Sequence, residues 1–508
     1  MTPANARVPA EDTIVVVHIR DNVFRPASLS IAPDTTVRWV NEGRNRHNVT
    51  PNSGHAFGSR DLLPGQSYVH RFVAPGSFAY YCSLHGTPTK GQHAGLDVGQ
   101  AATEQPASVI GDSDQPAPDI PASGRTIRVP SDAKTIQAAV NRARRGDLVL
   151  VSPGVYREAV TVATDGLVIR GLDRERTVLD GEFKRKSGIQ VVGANGVVIE
   201  NLTARNYTLN GFFWNGVLGY RGSYLTAYRN GDYGIYAYAS QWGEFDHSYA
   251  SGSPDAGYYI GQCNPCHAVI TDVVAQYNQL GYSGTNSSGD IFIVRSTWTN
   301  NRAGIAPNSL STEQLPPQGR ATIAGNRVEA NGSKDAPISG DGFDALYGSG
   351  IVVVGGVGDL ITKNLVIGNP RVGIGIAPNP GILGSVFASS ANQIRENRVS
   401  GSGLADLGIL LPTVDDRNCF ADNTFGTTAP AHLEQIEPCS GVGVGDLQEG
   451  ALSLEQFLEP SNRPPGRDYK TTPVPPKLAS MPKADSARAK PAGAPIKVDL
   501  AAITIPSQ

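Results

Sequence analysis

A chain of 508 residues is too long for one ordinary compact domain and implies two or three folded units. Its 43 basic and 46 acidic side chains leave a net charge of −3, which excludes a nucleic-acid binder working through a basic face. With 58 glycines and only 18 % charged residues, the composition is that of a turn-rich, mostly β protein.

Five cysteines are present. Cys263 with Cys266 and Cys419 with Cys439 pair by position, leaving Cys82 as a single thiol with two histidines near it in sequence. Two disulfides imply an oxidising compartment, and hence an extracellular, cell-surface or periplasmic protein. The alternative is four plain reduced thiols. Met1 leads straight into a polar Pro/Ala segment with no signal peptide or transmembrane run, so export implies a leader already removed.

In chain order, residues 12–99 alternate apolar and polar, as in "DTIVVVHIR", "SLSIAPDTTVRWV" and "SYVHRFVAPGSFAYYC", the pattern of strands and turns. Within them stand His47 in "NRHNV" and Cys82 and His85 in "YYCSLHG". A thiolate with two imidazoles is the trigonal set that holds copper in electron-transfer sites, since sulfur bonds the metal covalently and imidazole serves both oxidation states. His18, His55 and His70 read as surface residues.

Across residues 12–99, "NVFRPASLSIAPDTTVRWVNEGRNRHNV", "LLPGQSYVHRFVAPGSFAYYCSLHG" and the closing "GLDVG" follow the order of the plastocyanin/azurin family, and the segment resembles that family. The resemblance implies a cupredoxin β-sandwich with one type-1-like copper ion on His47, Cys82 and His85. It departs from the family at the axial Met, because "HGTPTKGQHAGLDV" contains none. Gln92 is the favoured substitute, with Leu96 and Val98 sharing a face of the last strand. His93 competes as the stronger ligand. An amide oxygen stabilises Cu(II) and lowers the potential, whereas His93 implies a more tetragonal site.

Residues 100–123, "AATEQPASVIGDSDQPAPDIPAS" at their core, form a Pro/Ala-rich acidic linker. A second unit spans 124–441. It opens on "TIQAAVNRARRGD", where Ile136, Ala139, Val140 and Ala143 sit at helical spacing, so a short amphipathic helix is expected to cap a stacked β core. This opening resembles the N-terminal cap of pectin-lyase-like β-helices and of the periplasmic β-helix protein of nitrous oxide reductase maturation. Behind it a glycine followed by an apolar strand recurs at Gly188, Gly211, Gly234, Gly257, Gly281 and Gly304, then at Gly350, Gly373 and Gly408. A second mark, at Asn201, Asn326, Asn364, Asn397 and Asn423 among others, follows the same period. A period of about 23 residues is one coil of a three-stranded β-helix. Asn is read as a turn residue that tolerates the left-handed conformation. The expected architecture is all-β, a cupredoxin sandwich followed by a right-handed parallel β-helix of about nine or more rungs. The period stretches near 307–319, 332–347 and 378–390, where inserted loops build a binding face or mere decoration. Residues 442–508 form a Pro-rich tail, read either as disordered or as a strap along the domain.

Alternation places Phe213, Tyr236 and Tyr259, with Tyr238 beside them, on the outer face of successive rungs. An exposed aromatic ladder there suits sugar rings, docking of another part of the chain, or simple stacking. Asp232 and Asp255 stand two residues before the repeat glycines, as a carboxylate pair for glycoside chemistry, a cation site, or solvated turn residues. His247 and His267 are the remaining candidate bases. "DGFDALYGSG" at 341–350 weakly resembles the "GFDPH" core of alginate epimerases but lacks its Pro and His, and no enzyme class is established. Three functions follow: an exported copper or redox protein with an unknown redox partner or copper donor, a polysaccharide-active lyase or hydrolase with an accessory cupredoxin, or a structural cell-surface binder. The complete copper triad favours the first.

Overall fold

In the computed structural model the described residues are 14–20, 22–54, 57–99, 114–339, 343–379, 386–410, 416–453, 455–456, 463–495 and 497–507. The chain divides into two compact units, residues 1–109 and 110–508.

The first unit is a sandwich of two four-stranded sheets. One is built from β1 (Ile14–Arg20), β2 (Val23–Arg25), β4 (Thr35–Asn41) and β6 (Ser67–Phe72), the other from β3 (Ser28–Ile31), β5 (Thr50–Pro51), β7 (Gly76–Thr87) and β8 (Lys90–Val98). Alternate residues of each strand point inward, so Val17, Ile19, Val37, Trp39, Tyr80, Leu96 and Val98 are buried between the sheets. Trp39 meets Tyr80 edge-on with ring centroids 5.6 Å apart.

The second unit is a parallel β-helix. Three sheets of 12, 10 and 11 strands run its length, and every strand pair is parallel. The first sheet starts at β9 (Thr126–Val129) and ends at Cys419–Ala421. The expected cap is present as α1 (Ile136–Arg142), whose Thr135 hydroxyl accepts from the Ala138 N–H and whose Ile136, Ala139 and Val140 close the end of the core.

The repeat glycines have a steric cause. A Cβ on Gly211 would lie 2.7 Å from the Gly234 carbonyl oxygen, and one on Gly281 would lie 2.6 Å from that of Gly304. Each glycine is therefore the seat of the next rung's backbone. The residue after each glycine points inward, as Phe212, Ile235, Tyr258, Tyr282 and Ile305 do.

The asparagine mark needs correcting. Asn201 takes positive φ as expected, but Asn326, Asn364, Asn397 and Asn423 do not; Gly325, Lys363, Glu396 and Asp422 before them do. The asparagines instead stack, each side-chain N–H₂ donating to the next side-chain oxygen at 2.9–3.0 Å. A second ladder, Asn278–Asn301–Asn331–Asn369, does the same at 3.0–3.1 Å. Amides satisfy turn backbone that is buried and has no water to bond.

The tail is a strap. Between 463 and 507 its carbonyls accept from arginines of the β-helix: Arg174 donates to Ala479, Arg170 to Ala487, Arg229 to Thr472 and Arg302 to Pro464, at 2.6–3.0 Å. Ile503 seals Val269, Val294 and Ala324 on the outer face of the first sheet. The end of the linker also packs here, with Ile120 buried and the Trp242 indole N–H donating to the Gln115 carbonyl at 2.7 Å. Cys263–Cys266 and Cys419–Cys439 are disulfides, and Cys82 is free.

Candidate metal centre

β7 and β8 pair regularly up to Tyr81 opposite His93 and again from Gly86 opposite Gly91, so four residues, Cys82 to His85, face Gln92 alone. This bulge throws Cys82 and His85 inward together. Gly86 makes it feasible, because a Cβ there would lie 2.5 Å from the Gln92 carbonyl oxygen. His47 arrives from the opposite side, pinned by two backbone hydrogen bonds to Leu62 at 3.0 and 2.6 Å.

The Cys82 sulfur lies 3.8 Å from His47 Nδ1 and 3.6 Å from His85 Nδ1, and the two Nδ1 atoms are 3.2 Å apart. All three donor atoms fall within 4.8 Å of one another, on side chains that are buried. Two imidazole nitrogens and a sulfur turned on one point present lone pairs that a shared proton or a metal cation bridges. Burial by itself pushes the Cys82 thiol up; the facing imidazoles of His85 and His47 outweigh it and bring the thiol down to about 5. The Asn48 N–H points at the sulfur from 3.4 Å. The donor set therefore fits a soft, imidazole-tolerant metal such as copper.

Strand alternation separates the two axial candidates. Gln92 is buried, with its amide oxygen 2.9 Å from His47 Nδ1. His93 lies on the exposed face of β8 and bonds the Gly91 carbonyl at 2.8 Å, away from the cluster. Asn48, absent from the sequence-level candidates, straps the two loops. Its side chain accepts from the Ser83 N–H at 2.9 Å and donates to the Ser83 hydroxyl at 3.0 Å and to Asp61 at 2.9 Å. Its adjacency to His47 was the available signal, but an Asn in a turn has many commoner uses. His18 and His70 are half-exposed, His18 beside Glu42 at 2.6 Å, and His55 lies outside the described residues.

On the β-helix the candidates scatter. Phe213, Tyr236, Tyr238 and Tyr259 are not an exposed ladder: each is 2 % exposed or less. The register is as expected, Phe213 opposite Tyr236 opposite Tyr259. The inserted segment 309–318 lies over them, with Gln314 donating to the Tyr238 hydroxyl at 3.4 Å and Tyr259 donating to Glu313 at 3.4 Å. Sequence periodicity shows which way a side chain points, not what a loop 50 residues on places above it. Asp255 is a backbone neighbour of Asp232, as expected, but is buried, and it accepts from the Tyr233 hydroxyl at 2.8 Å. His247 is held elsewhere by Asp246 at 2.8 Å, which raises its pKa. His267 has both nitrogens engaged, by Asp114 at 2.9 Å and Asp290 at 3.1 Å, and stacks on Trp242 at 3.9 Å. It fastens the linker.

No protein-family model matches the chain. Over 80 residues it is 35 % identical to plastocyanin of Scenedesmus fuscus, covering 14 % of this chain and 82 % of that protein. A purple cupredoxin from Nitrosopumilus maritimus shares 26 % identity and covers 16 % of this chain and 97 % of that one, at a TM-score of 0.15. The A-module of Azotobacter vinelandii mannuronan C-5 epimerase AlgE4 covers 61 % of this chain and 95 % of that one at 17 % identity and a TM-score of 0.47. The β-helix assignment rests on the chain's own sheets. Through its N-terminal sandwich, with the histidine–cysteine–histidine cluster at one bulge, the chain belongs to the plastocyanin family.

Proposed function

We propose that this is an exported copper protein whose sandwich holds one ion on His47, Cys82 and His85 with Gln92 as the fourth ligand, for electron transfer or copper carriage. The carrying observation is the convergence of three buried donor atoms within 4.8 Å. Bound copper supplies a one-electron couple. The chain supplies a thiolate already ionised near neutral pH, two imidazoles anchored on separate loops, and the Asn48 strap that holds those loops together. A site fixed by the strands on which it is built changes little between oxidation states, which suits rapid electron exchange. Gln92 in place of a thioether favours Cu(II) and a low potential. Two disulfides agree with an oxidising compartment. Among the described residues no helix is long and apolar enough to cross a membrane. The β-helix serves as scaffold and binding surface.

The test is Cu(II) titration of the full chain, followed by visible and electron paramagnetic resonance spectra, beside Cys82→Ser. An intense thiolate-to-copper band that the variant lacks establishes the site; tight binding without that band reduces it to carriage. Absence of binding removes the reading.

A second reading, a polysaccharide-active β-helix, is favoured by one observation, the buried Tyr233–Asp255 hydrogen bond beside Tyr236 and Tyr259. It requires cleavage or modification of an acidic polysaccharide that Asp255→Asn abolishes without loss of fold.

A further inference from the structure

The register of the third sheet aligns Ile235, Tyr258, Tyr282, Ile305, Ile351 and Ile374 across successive rungs. Three residues before each lies one edge position, occupied in turn by Asp232, Asp255, Gln279, Arg302, Gly348 and Arg371. The row changes sign along its length, from two carboxylates to two guanidinium groups. Its arginine end carries the larger anomaly.

Arg302 is fully buried. Its Nε bonds Asp344, its Nη2 donates to the Pro464 carbonyl at 2.9 Å, and the Tyr347 ring covers its face at 4.6 Å. Arg463 shares Asp344 from 3.6 Å. Arg371 follows two rungs on, roughly 10 Å along the axis at the usual strand spacing. Between them stands Gly348, whose N–H donates to the Arg302 carbonyl at 2.7 Å and whose carbonyl accepts from the Arg371 N–H at 2.9 Å. The glycine leaves the middle rung without a side chain, and Arg371 leans into that space: its Cγ is 2.9 Å from where a Gly348 Cβ would be. Among the described residues, Arg302 Nη1 and Arg371 Nη2 are buried with no acceptor. Arg302 and Arg463 thus share the carboxylate of Asp344, and the charge of Arg463 also bears on Arg371. A buried charged donor left without an acceptor costs more than a neutral one, and native folds rarely leave such a group unmade. Burial and the nearby Arg463 charge both bear against the Arg371 cation, as an added anion would not.

We propose that Arg302 and Arg371, on either side of Gly348, form a binding site for one oxyanion, a carboxylate or a tetrahedral sulfate or phosphate. Guanidinium forks match such oxygens in pairs, which a lysine does not. The site does not depend on copper.

The experiment is thermal unfolding of the full chain titrated with sodium sulfate, sodium phosphate or sodium glucuronate, with ionic strength held constant by chloride. At least one anion is expected to raise the midpoint saturably, and Arg371→Met, which keeps the apolar stem, is expected to weaken its apparent affinity at least tenfold. Arg371→Lys should give an intermediate loss. Response to glucuronate alone assigns a sugar carboxylate, response to sulfate and phosphate alone a tetrahedral oxyanion. Midpoints unmoved by all three anions overturn the proposal, as does a saturable rise that Arg371→Met leaves intact. Should Arg371→Met fail to fold, the wild-type titration still decides.

Discussion

The two units use regularity in opposite ways. In the sandwich, one interruption of pairing between β7 and β8 gathers Cys82, His85 and Gln92 about His47, and the candidate chemistry occupies that single break. In the β-helix, regularity is what holds the structure: glycines seat rung on rung and asparagines bond in ladders. Its breaks, the inserted segments, cover the outer aromatic face. A break in an antiparallel ladder re-aims side chains inward, whereas an insertion at a coil's corner leaves the rungs stacked and adds a lid. Function is therefore readable at the first kind of break and hidden by the second.

Asp359 tests whether the β-helix interior is as purely structural as that contrast makes it. It is fully buried; one carboxylate oxygen accepts from the Ala321 N–H at 2.7 Å and from Gln318 at 3.0 Å. Its other oxygen and the Gln318 oxygen both crowd the Cβ position of Gly356 and find no partner among the described residues. Burial raises its pKa to about 7, so the folded chain binds a proton that the unfolded chain has already released. Stability is then full below pH 4 and falls as pH rises through 7, by on the order of 4 kcal/mol. Denaturant unfolding from pH 4 to 8 should show this loss for the second unit, and Asp359→Asn should flatten it and be the more stable form at pH 8. An unchanged pH slope in the variant would falsify the assignment.

Next in size is the glycine stack. Gly281→Ala drives a Cβ onto the Gly304 carbonyl and is expected to cost about 3 kcal/mol. Gly95→Ala on β8 meets nothing within 4 Å and should stay within about 0.5 kcal/mol. Equal losses by chemical unfolding would erase the distinction between the units. Asn48→Ala comes after Gly281→Ala in size, removing the hydrogen bonds to Ser83 and Asp61 for about 2 kcal/mol. It should also speed copper release to a chelator while leaving the β-helix transition in place; release at the wild-type rate would show that the strap is not what holds the two loops.

Both folds, α1 and the His47–Cys82–His85 cluster were legible in the residues, because hydrophobic alternation, a fixed coil length and a rare donor set are local statements repeated along the chain. The direction of Phe213, Tyr236 and Tyr259 was legible too. Their burial was not, since the segment that covers them lies far off in sequence and has no periodicity of its own. The asparagine mark was found by period and its left-handed role holds at Asn201 but not at Asn326, Asn364, Asn397 and Asn423, because a sequence does not distinguish an amide that adopts a turn from one that bonds across it. His267 looked like a candidate base until Asp114 and Asp290 were placed on its two nitrogens. The nearness of Gln92 rather than His93 to His47, the strap's hold on Arg170 and Arg174, and the packing of Arg302 and Arg371 against Gly348 all join residues that only rung stacking or strand pairing brings together. The sequence by itself determined which backbone could form and which way its side chains face; the tertiary structure decided what each of them meets, because contact depends on parts of the chain whose separation carries no local signal.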